Sequence, residues 1–279
     1  MNGRTCPIEK MKKLLVATDG TEASQGAVAA ALELAKNCSV EMLAVAVVLT
    51  NPEDENAVPF VIAQAEKDME QRVNAVKAMA EEAGIDCGVI VKRGDDPYWE
   101  IVNEAKKNKA DMIVMGTHGR RGIKRFVMGS VTASVIGHAP CQVLVIPAHA
   151  KVDFGTILAA TDGSKHGDAA VKEAIAIAKV CSSLLVVVSV ASSDDEAPAT
   201  KESVKQALVL ADKEKVEKEG MVLRGNAGEA IVEAAEQKGA GLIVMGSHGR
   251  TGLMNLFMGS VTEYVLSHGN IPILVATAR

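Results

Sequence analysis

The sequence predicts two tandem α/β domains, each with a parallel sheet covered by helices on both faces. Two observations indicate this fold class. Apolar runs typical of buried strands alternate with segments whose apolar residues recur at helical spacing. In addition, the stretch MGTHGRRGIKRFVMGSVT at 115–132 occurs again as MGSHGRTGLMNLFMGSVT at 245–262. The alternation requires parallel strands with right-handed crossovers, and the repeat divides the chain into domains 1–150 and 151–279.

The predicted strands and helices of the two repeats follow the same order. Each repeat begins with a strand ending in Asp-Gly (13–20 and 156–163), a helix (21–36 and 164–179), a buried strand (40–49 and 184–191) and a middle helix (64–83 and 200–219). A short strand (87–92 and 221–223) and a further helix (97–107, with Asp96 as its cap, and 229–238) follow. After the glycine loop and one more helix, each repeat ends in a closing strand (142–146 and 272–276). A short linker at 148–153 joins the domains.

The repeats differ in their middle sections. Asp19 lies 97 positions before Gly116, whereas Asp162 lies 84 positions before Gly246, so the first copy has 13 more residues. The extra length falls around 51–61 and in the helix that follows it. In both copies, this section follows a strand end where a ligand would enter. We therefore expect it to form either a lid or a solvated loop.

The composition argues against several classes of protein. A formal net charge of −5 disfavours a general binder of nucleic acid or of anionic membranes. Apolar runs stay short of the about 18 residues of a membrane span, and the run at 14–17 is too short for a signal peptide. Five cysteines, an odd number without CxxC spacing, predict reduced structural thiols. We therefore expect a cytoplasmic protein that binds neither nucleic acid nor membrane.

The repeated stretch has the features of an anion-binding loop. In each copy an apolar run ends at a glycine, a second glycine follows after two residues, and a third precedes a serine at a predicted helix start. Glycine permits positive φ and a close approach of the backbone to a bound group. The unpaired amides of a helix N-terminus attract anions. A strand end, a glycine loop and a helix start therefore predict an anion cradle in each domain.

The full pattern consists of strand-Asp-Gly, Gly-x-x-Gly, nine residues, Gly-Ser and a closing apolar strand. With this pattern present twice, the chain resembles the universal stress protein family in its tandem form. The resemblance covers nearly the whole chain. It implies a flavodoxin-like or Rossmann-like, five-stranded parallel sheet in each domain. In the nucleotide-binding branch of the family, it also implies bound ATP or AMP, with Mg or Mn held through the phosphates.

The resemblance implies roles for individual residues. The carboxylate that approaches the ribose or metal would be Asp19 in the first domain and Asp162 in the second. The strand residue whose backbone faces adenine would be Val47 or Val190, each 28 positions after its aspartate. The residues that border ribose and adenine would be Met115, Gly116, Met245 and Gly246. The phosphates would lie on the amides of Gly119, Gly129, Ser130, Val131, Gly249, Gly259, Ser260 and Val261.

Several of these residues also have structural interpretations. A glycine loop can be a tight turn needed only for packing, and each aspartate can cap the helix that follows it. The methionines at 115, 128, 245 and 258 are expected in the core or the pocket wall. His118 and His248 share one loop position, and we expect them to support the loop or to donate a hydrogen bond near the phosphates. A metal role is disfavoured because no second histidine or cysteine lies at ligand spacing.

The two glycine loops differ in charge. The first loop contains four basic residues, whereas Arg250 of the second loop is followed by Thr251, Met254 and Asn255. A charge run is usually a solvated face. We nevertheless hypothesise that the first site favours the triphosphate more strongly than the second because of its cluster of Arg120, Arg121, Lys124 and Arg125.

The sequence favours a nucleotide-binding sensor or regulator of a stress response over an enzyme. It contains no Walker A motif, no GxGxxG and no Ser-His-Asp pattern, so we expect at most slow ATP hydrolysis or autophosphorylation. The alternative is an interaction or scaffold protein with empty sites. An adenylate-forming or sulfur-transfer ATPase would need Ser-Gly-Gly-x-Asp/Ser after the first strand, where this chain has Asp-Gly-Thr or Asp-Gly-Ser.

The closing strands predict how the domains associate. Both are apolar and are expected at a sheet edge, where an exposed apolar strand invites pairing. The resemblance implies dimerisation through this strand. We therefore expect the two domains to form an internal pseudo-dimer, and association of two chains into a homodimer stays open.

Overall fold

The computed structural model of the protein describes residues 6–8, 11–50, 59–117, 128–249 and 258–277. Its first half alternates strand and helix from the first strand to the last. The elements of this half are β1 (Lys13–Ala17), α1 (Glu22–Cys38), β2 (Glu41–Leu49), α2 (Pro59–Glu82), β3 (Cys87–Gly94), α3 (Pro97–Lys107), β4 (Met112–Gly116), α4 (Ser130–His138) and β5 (Gln142–Ile146).

The second half repeats this order. Its elements are β6 (Thr156–Ala160), α5 (Lys165–Cys181), β7 (Leu184–Ala191), a 3₁₀ turn (Asp194–Glu196), α6 (Ala197–Lys213), β8 (Lys218–Arg224), α7 (Ala227–Gln237), β9 (Leu242–Gly246), α8 (Ser260–His268) and β10 (Ile273–Ala276). The described helices include no segment long and apolar enough to cross a membrane.

The strands described above join in one sheet. Its order is β3-β2-β1-β4-β5-β10-β9-β6-β7-β8, so both halves have the doubly wound order third-second-first-fourth-fifth. Pairing is parallel within each half, and β5 and β10 pair antiparallel, with Leu274 opposite Leu144. The apolar residues that fill these strands suit a sheet buried on both faces. The structure thus confirms the predicted fold class of two tandem α/β halves.

Helices cover both faces of the sheet and close two hydrophobic cores. One core lies under α1, α2, α5 and α6, and it includes Leu14, Leu34 and Met69. The other lies under α3, α4, α7 and α8, and it includes Leu15 and Val145. Successive strand residues belong to opposite cores, as Leu14 and Leu15 do, because side chains alternate across a strand. The carboxyl ends of the strands form the edge where a ligand is expected.

Two sequence predictions about the second half were wrong in their boundaries. The helix predicted at 200–219 ends at Lys213, and the strand predicted at 221–223 begins at Lys218. Strand β8 lies at the edge of the sheet, so it accommodates charged residues such as Lys218 and Glu219 that favour a helical interpretation. In the first half, Asp96 takes the N-cap position of α3 as predicted, but its side chain accepts no capping hydrogen bond.

The prediction that the cysteines are reduced thiols was wrong for two of them. Cys6 and Cys38 form a disulfide that ties the segment before β1 to the end of α1. The thiols of Cys87, Cys141 and Cys181 take no part in a disulfide. Burial raises the pKa of the Cys87 and Cys181 thiols, so both stay protonated and unreactive at neutral pH.

Candidate nucleotide site

The first strand of the first half ends in a turn that buries a carboxylate. Asp19 Oδ1 accepts hydrogen bonds from the Thr21 amide at 3.0 Å and from the Thr21 hydroxyl at 2.6 Å. The other oxygen, Asp19 Oδ2, is buried and has no hydrogen-bond partner among the described residues. The N-cap residue of α1 is Thr21, so Asp19 does not cap this helix. Its carboxylate shapes an Asx-type turn and keeps one oxygen directed away from that turn.

The second half repeats the turn and shows what the carboxylate approaches. Asp162 Oδ1 accepts a hydrogen bond from the Ser164 amide at 3.0 Å, and Ser164 is the N-cap residue of α5. Asp162 Oδ2 lies beside Gly249, because a Cβ added to that glycine would be 2.8 Å from the oxygen. The first-strand carboxylate and the glycine loop, 87 positions apart in the sequence, therefore meet at one edge of the sheet.

The third glycine of each pattern joins the strand end to a helix start. The Gly129 amide donates to the Thr117 carbonyl at 2.9 Å, and the Gly259 amide donates to the Ser247 carbonyl at 2.8 Å. Gly129 and Gly259 are the N-cap residues of α4 and α8. Because glycine has no side chain, it cannot cap the first-turn amides itself. The expected phosphate-binding residues Ser130, Val131, Ser260 and Val261 form the first turns of these two helices.

Two threonines that the sequence predictions did not include hold these helix starts in place. The Thr132 hydroxyl donates to the Gly116 carbonyl at 3.0 Å, and the Thr262 hydroxyl donates to the Gly246 carbonyl at 2.9 Å. Both threonines are buried. The signal was present, since the fourth residue of the repeated GSVT motif is a threonine in both copies. These bonds fix the first turn of each helix against the strand that precedes the loop.

The expected adenine-facing valines occupy the same position in both halves. Ala17, the last residue of β1, pairs with Val45, and Ala160, the last residue of β6, pairs with Val188. Val47 and Val190 lie two residues farther along β2 and β7, beyond the ends of β1 and β6. Val47 and Val190 are half-buried, whereas most of β2 and β7 is buried. They pack at the margin of the core under α3, α4, α7 and α8. A flat apolar ligand could contact them at this margin.

Other expected site residues differ in their surroundings. Met115 and Met245 are 5% and 4% exposed, so both belong to the core beneath the site, together with Met128 and Met258. Gly246 packs against α5, because a Cβ there would be 2.7 Å from His166 Cβ. Gly119, His118 and the basic residues of both loops lie outside the described residues.

A pair of histidines lies beside the second glycine loop. His248 Nδ1 is 3.0 Å from Ser247 Oγ, and its ring centroid is 5.5 Å from that of His166 at the start of α5. Burial lowers the pKa of His166, and the neighbouring His248 and Lys165 lower it further, while Asp162 opposes the shift. The His166 imidazole is therefore neutral at pH 7. Among the described residues, no group of three His, Cys, Asp or Glu side chains could hold a metal ion.

Comparisons with known proteins identify relatives of both halves. A model of the universal stress protein family matches residues 10–147 and 153–277. Universal stress protein MJ0531 of Methanocaldococcus jannaschii is 37% identical over 139 residues, which are 48% of this chain and 81% of the relative. Universal stress protein Rv2005c of Mycobacterium tuberculosis is 30% identical over 227 residues, which are 73% of this chain and 74% of the relative.

A solved structure matches the chain over both halves. The crystal structure of a universal stress protein from Archaeoglobus fulgidus superposes with a TM-score of 0.80 at 24% identity. The match covers 95% of this chain and 96% of the other. At this identity the similarity establishes the fold.

Proposed function

The chain belongs to the universal stress protein family, and from that premise we propose that each half binds an adenine nucleotide, ATP or AMP, at the carboxyl edge of the sheet. Occupancy of the two sites would be the signal that a partner reads during a stress response. The protein would act as a sensor or regulator, with at most slow ATP hydrolysis, because its sequence contains neither a Walker A motif nor a Ser-His-Asp pattern.

The observation that carries the proposal is the buried oxygen Asp19 Oδ2. A buried polar atom without a hydrogen-bond partner costs about 1–3 kcal/mol, and a carboxylate oxygen costs more. A ribose hydroxyl donates a hydrogen bond and would satisfy this oxygen. The turn at Thr21 already holds the other oxygen, so the carboxylate is oriented before a ligand arrives.

The remaining donors suit the phosphates. The first turns of α4 and α8 begin at glycine N-caps, so their amides are open to an anion, and the positive end of the helix dipole favours one there. The second-half carboxylate lies against Gly249 of the same loop. When present, Mg or Mn would bind through the phosphates and offset their charge. Hydrogen-bond donors for phosphate and an acceptor for ribose together fit a nucleotide better than a bare anion.

We also propose that the two halves act as an internal pseudo-dimer in solution, divided into residues 1–150 and 151–279. The antiparallel pairing of β5 with β10 supports this, because it extends one sheet across both halves. Small-angle scattering should then give one compact particle per chain. Two separated lobes would contradict this part of the proposal.

Nucleotide binding can be tested on the purified full chain. The protein is denatured, the released small molecules are identified by chromatography and mass spectrometry, and thermal melts are compared in Mg-ATP, in AMP and in buffer. A ligand at about a hundredfold excess over its dissociation constant stabilises the folded state by about 2.7 kcal/mol. We therefore expect co-purified adenine nucleotide, or a melting temperature raised by several degrees.

Two variants make the test specific to the site. The double variant Gly129→Val with Gly259→Val adds side chains at both helix starts and should abolish the shift. The matched control is Gly84→Asn, since Gly84 has φ of +75°, a conformation asparagine tolerates, and open space beyond its Cα. An unchanged shift in the double variant would contradict the proposed site. Absence of both nucleotide and shift in the unmodified protein would favour the scaffold alternative.

A further inference from the structure

The two candidate sites differ at one position of the helix that follows the first strand. Four residues after Asp19 the chain has Ala23, and four residues after Asp162 it has His166. Both residues lie in the first turn of their helix, α1 or α5. This difference lies outside the repeated glycine pattern, so comparing the two glycine loops does not reveal it.

His166 lies against the glycine loop of the second half. Its Cβ is the nearest atom to a Cβ added at Gly246, at 2.7 Å, so helix α5 and the end of β9 are in contact at this residue. Its imidazole faces that of His248, with ring centroids 5.5 Å apart and an angle of 53° between the rings. Both side chains are half-buried at the carboxyl edge of the sheet. The backbone contact therefore fixes the position from which the His166 ring reaches the loop.

His248 in turn lies beside the helix start expected to hold phosphate. A Cβ added at Gly259, the N-cap residue of α8, would be 3.5 Å from His248 Cα and 3.7 Å from the Gly249 amide nitrogen. The backbone of His248, whose ring lies against that of His166, is therefore next to the proposed anion-binding helix start.

The charges around His166 decide what its imidazole can do. The groups facing it are Asp162 from the turn after β6, His248 from the glycine loop and Lys165 from its own helix. Burial, together with the neighbouring His248 and Lys165, lowers the pKa of His166, so the ring is neutral in the free protein at pH 7. An anion beside it would reverse this balance and favour the protonated ring. Anion binding here would then be coupled to proton uptake.

We propose that His166, together with His248, contacts the anionic phosphates of the nucleotide bound by the second half, and that Ala23 deprives the first half of this contact. The inference rests on the proposed function. It makes His166 a specificity-determining residue, so the two halves bind the same ligand class with different affinities and different responses to pH.

The test uses full-length protein with one site blocked at a time and Mg-ATP as the probe. In the Gly129→Val background only the second site remains, and calorimetric titrations at pH 7.5 and pH 5.8 compare His166 with His166→Ala. A hydrogen bond to a charged group contributes about 1.5–3 kcal/mol, so His166→Ala should weaken binding about tenfold or more at pH 5.8. The loss should be smaller at pH 7.5. Protonation of the nucleotide is the same for all variants at a given pH.

The reciprocal variant is the matched control. In the Gly259→Val background only the first site remains, and Ala23→His should strengthen Mg-ATP binding more at pH 5.8 than at pH 7.5. His166→Gln keeps a hydrogen-bond donor without a titrating ring and should remove the additional pH response while losing less affinity than His166→Ala. A purely structural role would lower the melting temperature of His166→Ala without changing this pH response.

The outcomes separate the inference from its premise. Equal dissociation constants for His166, His166→Ala and His166→Gln at both pH values would overturn the inference and leave the proposed function standing. No binding of Mg-ATP to either background at either pH, together with none to the unmodified protein, would overturn both. If His166→Ala fails to fold, the Ala23→His comparison decides the question.

Discussion

The substitution Gly228→Ala in α7 should change from destabilising to stabilising when Tyr264 of the neighbouring helix α8 is removed. Gly228 lies in the first turn of α7, and a Cβ added there would be 2.6 Å from Tyr264 Cγ and 2.7 Å from Tyr264 Cβ. These atoms lie close to the backbone of α8, so the ring cannot swing away from a methyl group. The Tyr264 ring is held as well by its stack on His268, at 4.0 Å between centroids.

The expected change in the free energy of unfolding for Gly228→Ala is the balance of two opposing effects. Replacing glycine by alanine within a helix stabilises it by up to about 1 kcal/mol, and overpacking a filled space costs about 1–3 kcal/mol. Because the clash here involves atoms that cannot move, we expect Gly228→Ala to destabilise the protein by about 1–2 kcal/mol. In a Tyr264→Ser background the space is open, so the same change should stabilise by up to about 1 kcal/mol. The interaction energy between the two sites would then be about 2–3 kcal/mol.

The first half indicates which second substitution could compensate for the loss of Tyr264. Eighteen positions before the first glycine of its pattern the chain has Tyr98, whereas the equivalent residue of the second half is Gly228. Opposite Tyr98, the residue equivalent to Tyr264 is Ser134. One aromatic ring thus fills each interface but comes from different helices, and Tyr98 contacts His138 at 5.1 Å between centroids. Gly228→Tyr combined with Tyr264→Ser should recover most of the stability that Tyr264→Ser loses.

The assay is urea denaturation of the four members of the cycle and of the rescue variant, followed by circular dichroism. A change of sign between the two backgrounds is the expected result. Gly228→Ala having the same effect with and without Tyr264 would refute the packing argument. A rescue variant no more stable than Tyr264→Ser would show that the two helix pairs do not fill their interfaces equivalently.

Three further outcomes are expected. Cys38→Ser, which opens the 32-residue loop closed with Cys6, should lower stability by about 3–4 kcal/mol in the chain-entropy model, and an unfolded, unreduced sample should titrate three thiols rather than five. Burial raises the pKa of Glu173 above the ordinary glutamate value of about 4.3. The contribution of this side chain to folding stability is therefore fully present below that pH and is lost as the pH rises through the pKa of the folded state. Glu173→Gln should therefore raise stability at pH 7 but not at pH 4, as chemical denaturation at both pH values would show. Gly249→Ala places a Cβ 2.8 Å from Asp162 Oδ2, so calorimetry in the Gly129→Val background should show Mg-ATP binding weakened about tenfold.

The fold class could be predicted from the sequence because the patterns that indicate it are local and occur twice. An apolar run followed by Asp-Gly reports a buried strand and its turn, and the structure places such strands at 13–17 and 156–160. The doubly wound order and the carboxyl edge then follow from general rules of parallel sheets. For the site, the same logic brought Asp162 and Gly249 to one edge although they are far apart in the chain.

What the sequence could not predict depends on contacts between distant residues. Cys6 and Cys38 carry no spacing signal, and only the path of the chain before β1 brings them together. The first two residues of strand β8, Lys218 and Glu219, were assigned to the preceding helix because an edge strand tolerates charged residues on its open side. The exchange of Tyr98 for Tyr264 was also invisible, because each tyrosine alone reads as an ordinary helical residue and only the interface shows that they serve one purpose.

The differences between the halves indicate which part of the site is general. In the first half Ser24 holds the start of α1, through bonds of 2.9 Å to the Thr18 hydroxyl and to the Thr21 carbonyl. In the second half Gly167 replaces this serine, and its amide donates to the N-cap Ser164 at 3.1 Å. Two different sets of side-chain bonds thus produce the same backbone turn. Since the helix starts persist while their supports change, we expect the proposed nucleotide to be recognised in both halves mainly by main-chain groups, together with the carboxylates of Asp19 and Asp162. Under the same proposal, side chains that differ between the halves, such as His166 and Ala23, would set the difference in affinity.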